Sequence, residues 1–400
     1  MSRRPVLTAA ALAALVLPLA AGCVSNDTAG ASASASAGAI TVTSTADACD
    51  VSAATAPSGN VQFSVTNAGN DVTEFYLLSD DGLRVVSEVE NIGPGLSRDL
   101  VVQVKPGTYF TACKPGMVGD GIRSPFTVTD SGAQVGPTGD TADQLTAASA
   151  QYLAYVKDQV GALLTSTQAF ADAYGTGDDA KAESLYADAR SHYERVEPVA
   201  ESFGELDPKL DAREADVEAG QTWTGWHMIE KDLWQPTADA NGGVAYVPLT
   251  PDQRTAAAAD LVSNTQALAD EVTSPTFTLE AFQIANGAKG LLDEVAASKV
   301  TGEEEIWSHT DLWDFQANVE GAKVAYEVLG DVVVAQDPDL AKQLDTRFAE
   351  TFALLAAQGS FDSGFTYYDK LTPDEIKAFA SSVDALSEPL SQLTTTVTGS

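Results

Sequence analysis

The chain has 400 residues, and 22 Lys and Arg stand against 57 Asp and Glu, a formal charge of −35 at neutral pH. Such a field repels polyanions, which excludes nucleic acid as a partner and suits metal ions or cationic ligands, although solubility alone accounts for the same composition. The length leaves room for two or three domains with separate cores.

Two arginines precede an apolar run from Val6 to Leu19, and Ala20-Ala21-Gly22 lead into Cys23. Residues 1–22 read as a signal peptide, too short for a membrane span. A cysteine directly after small residues resembles a bacterial lipobox, with Ala20 where leucine is more usual, so Cys23 is expected as the lipidated N-terminus. Simple secretion with cleavage near Ala21 is the alternative. Residues 23–39 are rich in Ala, Ser and Gly without hydrophobic period, as a flexible tether would be. Export places Cys49 and Cys113 in an oxidising compartment, where a disulfide is the default and a thiolate metal site the alternative.

Residues 40–130 carry period two. Val61, Phe63 and Val65 alternate, Asn67-Ala68-Gly69-Asn70 breaks the run, and Phe75, Leu77, Leu100, Val102, Val104, Phe126 and Val128 continue it. Short strands between turn signals predict an all-β sandwich. The segments "NDVTEF" (70–75) and "PGTYFTACKPGM" (106–117) resemble the two metal-bearing segments of cupredoxins. In that family a histidine stands at the place of Glu74 and a second lies near Met117. Residues 40–130 hold no histidine, so a blue-copper centre is not expected. Glu74, Cys49, Cys113 and Met117 offer a possible second metal site, while a disulfide and a surface carboxylate explain them more plainly.

Residues 131–140 read as a Gly/Pro/Thr linker, after which the period changes. Tyr152, Tyr155, Val156, Val160, Leu163 and Leu164 recur at helical spacing, and similar stripes run through 185–199, 261–272, 282–295, 315–334 and 340–355. Residues 141–400 are predicted to form an all-α bundle or two packed bundles. Asp-Leu-Trp at 232–234 and again at 311–313 hints at internal duplication.

The chemistry concentrates in the helical part. In "GWHMIEKDLW" (225–234), His227 and Glu230 are three apart and lie roughly 60° from one another on a helix. Trp223, Trp226 and Trp234 would exclude water there, so a buried Glu230 needs either His227 or a cation as its partner. Glu194 and Glu197 share a face by the same arithmetic, Asp211 follows in "LDPKLDAREADVEAG", and Glu303, Glu304 and Glu305 precede His309. Carboxylates and imidazoles from facing helices build iron sites in bundles. Each piece also has an ordinary reading. Thr301 with Glu304 forms a capping-box pattern, Glu194 and Glu197 alternate with Arg190 and Arg195 like a solvated ion-pair face, and His227 could be a hydrogen-bonded core histidine.

The segments "SHYERVEPVAESFGELDPKLDAREADVEAGQTWTGWHMIEKDLW" and "GEEEIWSHTDLWDFQANVEGA" resemble the imelysin-like family, whose Gly-x-His-x-x-Glu motif is matched by Gly225, His227 and Glu230. A cupredoxin-like domain followed by an imelysin-like domain is similar to the EfeO-type family of EfeUOB iron-uptake systems, over nearly the whole chain after the signal segment. The resemblance implies an extracytoplasmic iron-binding lipoprotein, anchored to the cell membrane, that captures Fe(II) or Fe(III) and delivers it to a membrane permease beside a secreted haem peroxidase. It implies metal ligands at Glu194, Glu197, Asp211 and one of Glu303 or Glu304, with His227 and Glu230 as the family signature. An imidazole also admits zinc or copper. The family is named for a proposed peptidase activity, but familiar zinc peptidases take two imidazoles from one helix, and here Lys231 follows Glu230. A non-enzymatic binding protein is therefore expected, with a metallopeptidase or a cation-dependent polysaccharide-binding lipoprotein as alternatives.

Overall fold

The period-two segment folds as a sandwich of two sheets. The computed structural model describes residues 38–399 apart from 81, 83, 84, 118–120, 218, 219 and 298; the expected signal peptide and Cys23 lie outside the described residues. Strands β1 (Ile40–Ser44), β2 (Cys49–Val51), β3 (Thr55–Pro57), β4 (Gly59–Asn67), β5 (Thr73–Leu78), β6 (Val85–Ile92), β7 (Ser97–Val104), β8 (Gly107–Cys113) and β9 (Ile122–Thr129) follow in order. They pair as a four-stranded sheet β2-β1-β4-β7 and a five-stranded sheet β3-β9-β8-β5-β6. Pairings are antiparallel except β1 with β4 and β3 with β9. Alternating residues turn inward, so Phe63 meets Phe75 and Phe126 at ring-centroid distances of 5.1 and 5.5 Å.

Cys49 on β2 and Cys113 on β8 form a disulfide that ties one sheet to the other. This corrects the possible second metal site, because a sulfur committed to a disulfide is no thiolate ligand.

The helical part comprises α1 (Asp140–Thr176), α2 (Asp179–Glu194), α3 (Leu206–Asp211), α4 (Trp226–Trp234), α5 (Pro251–Thr273), α6 (Ala281–Ala297), α7 (Asp311–Gln336), α8 (Pro338–Gln358), α9 (Pro373–Leu390) and α10 (Leu393–Thr398). A two-residue-strand hairpin, β10 (Gly359–Ser360) and β11 (Gly364–Phe365), joins α8 to α9. Local signals place several starts. Thr250 and Gln253 close a capping box at α5 with Pro251 in the first turn, and Asp178 caps α2 through the Lys181 N–H. Helix α7 runs through the bundle centre against α1, α2, α6 and α8. The two Asp-Leu-Trp triplets occupy unlike positions, one ending α4 and the other opening α7, so the structure gives the repeat no shared role.

Sheet and bundle are packed together. Phe282 of α6 enters the sandwich core, Asn286 Nδ2 donates to Ser87 Oγ at 3.0 Å and to the Val101 carbonyl at 2.9 Å, and Arg98 pairs with Asp293. One helix thereby lies across β6 and β7 and brings carboxylates of the sandwich toward those of the bundle.

Candidate metal centre

Four helices and one loop deliver charged side chains to one buried point. Helix α2 brings Arg190 and, one turn later at its end, Glu194, α3 ends on Asp211, and α4 presents His227 and Glu230 a turn apart. The loop before α7 turns Glu304 and Glu305 inward, and α7 adds Asp314 and Asn318. Trp226 fills the apolar side, fully buried against Phe170 and Tyr186.

His227 is 1 % exposed. Its Nε2 stands 3.6 Å from Asp211 Oδ1 and 3.5 Å from Glu304 Oε1, and its Nδ1 stands 3.6 Å from Glu230 Oε2 and 3.9 Å from Glu305 Oε1. Neither ring nitrogen makes a hydrogen bond, and Glu230 Oε2 makes none either. The other oxygen of Glu230 accepts from the backbone N–H of Trp307 at 3.0 Å and Ser308 at 2.7 Å, which locks the carboxylate in place. Two triads, Asp211–His227–Glu304 and His227–Glu230–Glu305, each bring ligand atoms within 4.8 Å of one another. Three donors of this kind at that spacing can close on one ion with small side-chain movements, through carboxylate oxygen and imidazole nitrogen.

Permanent cations share the centre, Arg190 and Lys299 within it and Arg213 at its edge, 3.4 Å from Glu304 Oε2. Arg190, fully buried, pairs with Glu194 at 2.7 Å, Glu304 at 2.8 Å and Glu305 at 2.6 Å, and with Asp211. Lys299 reaches Glu194 at 3.3 Å and Glu197 at 2.5 Å, and Asn318 Nδ2 donates to both of these at 2.9 and 2.6 Å. Seven carboxylates, Glu194, Glu197, Asp211, Glu230, Glu304, Glu305 and Asp314, thus surround Arg190, Lys299 and His227. Crowded in this way, several of the carboxylates are pushed toward their protonated forms, and a multivalent cation could take the place of those protons.

The protonation pattern follows from this crowding. Burial and Arg190 both act to lower His227, but the close carboxylates of Glu230, Glu304 and Asp211 prevail and lift it to about 9. Burial lifts Asp211 to about 6 against the pull of Arg190. Burial opposes the ionised form of Glu304 too, yet Lys299, His227 and Arg213 hold it well below the usual carboxylate range. Glu305 goes the other way, raised by burial and by Glu230 and Asp314.

A cleft of about 440 Å³ opens between sheet and bundle, and its wall includes Asp211, Glu197 and Glu304 of the centre. The sandwich contributes Glu74, Glu88, Glu90 and Met117 to the same wall.

Residues 148–393 match the imelysin family. The chain belongs to that family. Its relatives include the iron uptake system component EfeO of Yersinia pestis, 36 % identical over 348 residues that cover 86 % of this chain and 87 % of the relative. The proteins of the same name in Escherichia coli O1:K1 and O157:H7 are also 36 % identical over 348 residues, 86 % of this chain and 88 % of theirs. The chain is an imelysin-family protein of the EfeO type, strand-rich from 40 to 129 and helical from 140 to 398.

In this imelysin-family chain the motif glycine has a steric reason. Gly225 sits at φ 89°, and a Cβ there would lie 2.2 Å from the Leu210 carbonyl oxygen. Only a residue without Cβ lets α4 start against the end of α3, which is how His227 comes to face Asp211.

The remaining expected ligands are distributed unevenly. Glu303 is exposed and points away while Glu304 and Glu305 are buried, a correction forced by the loop geometry. Glu194 and Glu197 do not share a helix face: α2 stops at Glu194 and a 3-10 turn, Glu197–Phe203, carries Glu197, and the two meet through Lys299 and Asn318 instead. Arg190 is core, so the solvated ion-pair face is overturned at that residue. Thr301 and Glu304 cap no helix, since α7 begins at Asp311. His192 bonds Gln159 at 3.0 Å and His309 lies outside both triads. Glu74 is buried rather than on the surface and accepts from Tyr76. It lines the cleft with Met117, apart from the bonded cysteines. Sequence reasoning missed Lys299, Asp314 and Asn318. The i, i+4 spacing of Arg190 and Glu194, and of Asp314 and Asn318, was the available signal.

Proposed function

We propose that this chain is an extracytoplasmic, non-enzymatic iron-binding protein that captures iron at the His227 centre and passes it to a membrane permease. The observation that carries the reading is His227, buried with both ring nitrogens unbonded while four carboxylate oxygens stand 3.5–3.9 Å away. Four carboxylates meet this imidazole only at ion-pair distance, so its nitrogens and their oxygens can close on a cation that takes the place of the proton. The relatives named as iron uptake components make iron the expected cargo.

Asp211 and Glu304 would approach the ion with Nε2, or Glu230 and Glu305 with Nδ1, and Glu194 and Glu197 stand behind them on Lys299 and Asn318. Hard oxygens suit Fe(II) and Fe(III), and one imidazole leaves zinc and copper as competitors. A single histidine and a guanidinium in contact with the carboxylates do not resemble a peptidase site, where an open water position faces a base. Among the described residues no helix is long and apolar enough to cross a membrane. The sequence around Cys23 supports lipid anchoring to the cell membrane, and a secreted haem peroxidase completes the proposed system.

Anaerobic Fe(II) calorimetry on the chain and on folded His227→Ala tests the reading. A tight site lost in the variant supports it, and equal binding by both proteins removes the centre as the place of capture.

A further inference from the structure

We infer that Arg190, assisted by Lys299, is an internal counter-cation against which iron must compete, and that it sets how tightly the centre holds its cargo; this rests on the iron-binding reading above. The geometry is specific to individual atoms. Asp211 Oδ1 and Glu304 Oε1, the two oxygens nearest His227 Nε2, are the same two that Arg190 engages through Nη1 and Nη2. Lys299 Nζ stands 3.6 Å from the same Glu304 oxygen. An ion that enters the Asp211–His227–Glu304 triad therefore binds oxygens already held by a permanent positive charge.

The consequence is opposite for the two states of the protein. Without Arg190, carboxylates from α2, α3, α7 and the Glu304 loop would face one another in a buried space, and burial of unpaired like charges is among the costliest things a fold can do. A guanidinium cannot shed its proton, so it neutralises them at every pH the protein meets. For the loaded protein the same fixed charge lies within a few ångströms of the bound ion and repels it. Arg190 thus stabilises the empty protein and loosens the loaded one, which suits a carrier that must release its ion. It also selects by charge. A monovalent ion brings no more charge than the guanidinium it meets, whereas a di- or trivalent ion does.

The test compares the chain with Arg190→Gln, Arg190→Lys and Lys299→Met, using Fe(II) calorimetry under anaerobic conditions and thermal melting of the iron-free proteins. Arg190→Gln is expected to melt lower when iron-free and to bind Fe(II) at least tenfold more tightly. Arg190→Lys, which keeps the charge, should bind within about threefold of the parent. Lys299→Met should shift both readings in the same directions by less. A folded Arg190→Gln protein that binds iron no more tightly than the parent overturns the inference and makes the guanidinium an orienting group. If that variant does not fold, the same criterion applied to Lys299→Met decides. No iron binding by the parent or by any variant sinks the iron reading itself, whereas binding by the parent without tightening in the variants sinks only the counter-cation.

Discussion

Gly225 and Leu210 touch so closely that the distance from a Cβ on Gly225 to the Leu210 carbonyl oxygen would be 2.2 Å, and that contact seats the start of α4 on the end of α3. Both the positive φ and the backbone obstacle act against any side chain. Gly225→Ala is expected to cost on the order of 2–4 kcal/mol in urea unfolding and to separate His227 from Asp211. Iron binding should weaken in whatever fraction stays folded. A variant with parental stability and parental affinity would show that the close approach does not position the histidine.

Neighbouring glutamates should behave as opposites. Glu303 is exposed, and Glu303→Gln should leave unfolding stability within about 0.5 kcal/mol and iron affinity within about twofold. Glu304 faces His227, Arg190, Arg213 and Lys299, so Glu304→Gln should weaken iron binding at least tenfold. Parallel calorimetry on the two variants reads the contrast directly. Equal effects would mean that the loop is not held as described.

The pH dependence of the iron-free protein has a definite sign. The His227 value lies above its usual 6.5, so its protonated form contributes stability that is present below pH 6.5 and lost as pH rises through about 9, on the order of 3 kcal/mol. Asp211 and Asp311 are raised from 3.8 to about 6 and about 7, so the folded state holds protons that the unfolded chain has released, and stability falls as pH rises from about 4 toward 7. Glu194 and Glu304 are depressed, and their contribution is complete above about 4.5. Melting temperatures should therefore decline from pH 5 to pH 9.5, and a rise across that range would contradict the assignment.

Iron binding should show the reverse slope. An ion on the imidazole displaces the proton that His227 carries at neutral pH, so affinity should increase from pH 6 to pH 8. Calorimetry in two buffers of different ionisation enthalpy should report about one proton released per ion for the Asp211–His227–Glu304 triad, and about two if the ion instead takes Glu305, whose carboxyl is raised. No proton release would exclude His227 from the ligands.

The disulfide should matter for stability and not for the centre. Cys49 and Cys113 are 64 residues apart, and the chain-entropy model gives about 4 kcal/mol for a loop of that length. Cys49→Ser/Cys113→Ser should lose stability of that order in urea while the folded protein keeps its iron affinity. An affinity loss in the folded double variant would tie the sandwich to capture more directly than its shared cleft does.

Sequence by itself determined what depends on neighbours along the chain. The change from period two to helical period marked the border between sandwich and bundle, because side-chain direction repeats with the backbone conformation of each residue. The same locality put His227 and Glu230 on one face of α4, where they are observed together. Tertiary structure decided what depends on approach in space. Arg190 reads as a solvated partner of Glu194 along α2, yet the ends of α3 and α7 close over it and make it the most heavily paired residue of the centre. Of three consecutive glutamates, the loop after Thr301 turns two inward and one outward, a choice set by packing against His227 and Arg190 rather than by any local pattern. Which buried acids keep their protons was settled there too, since burial and the nearest fixed charge act over distances in space that the order of residues does not record.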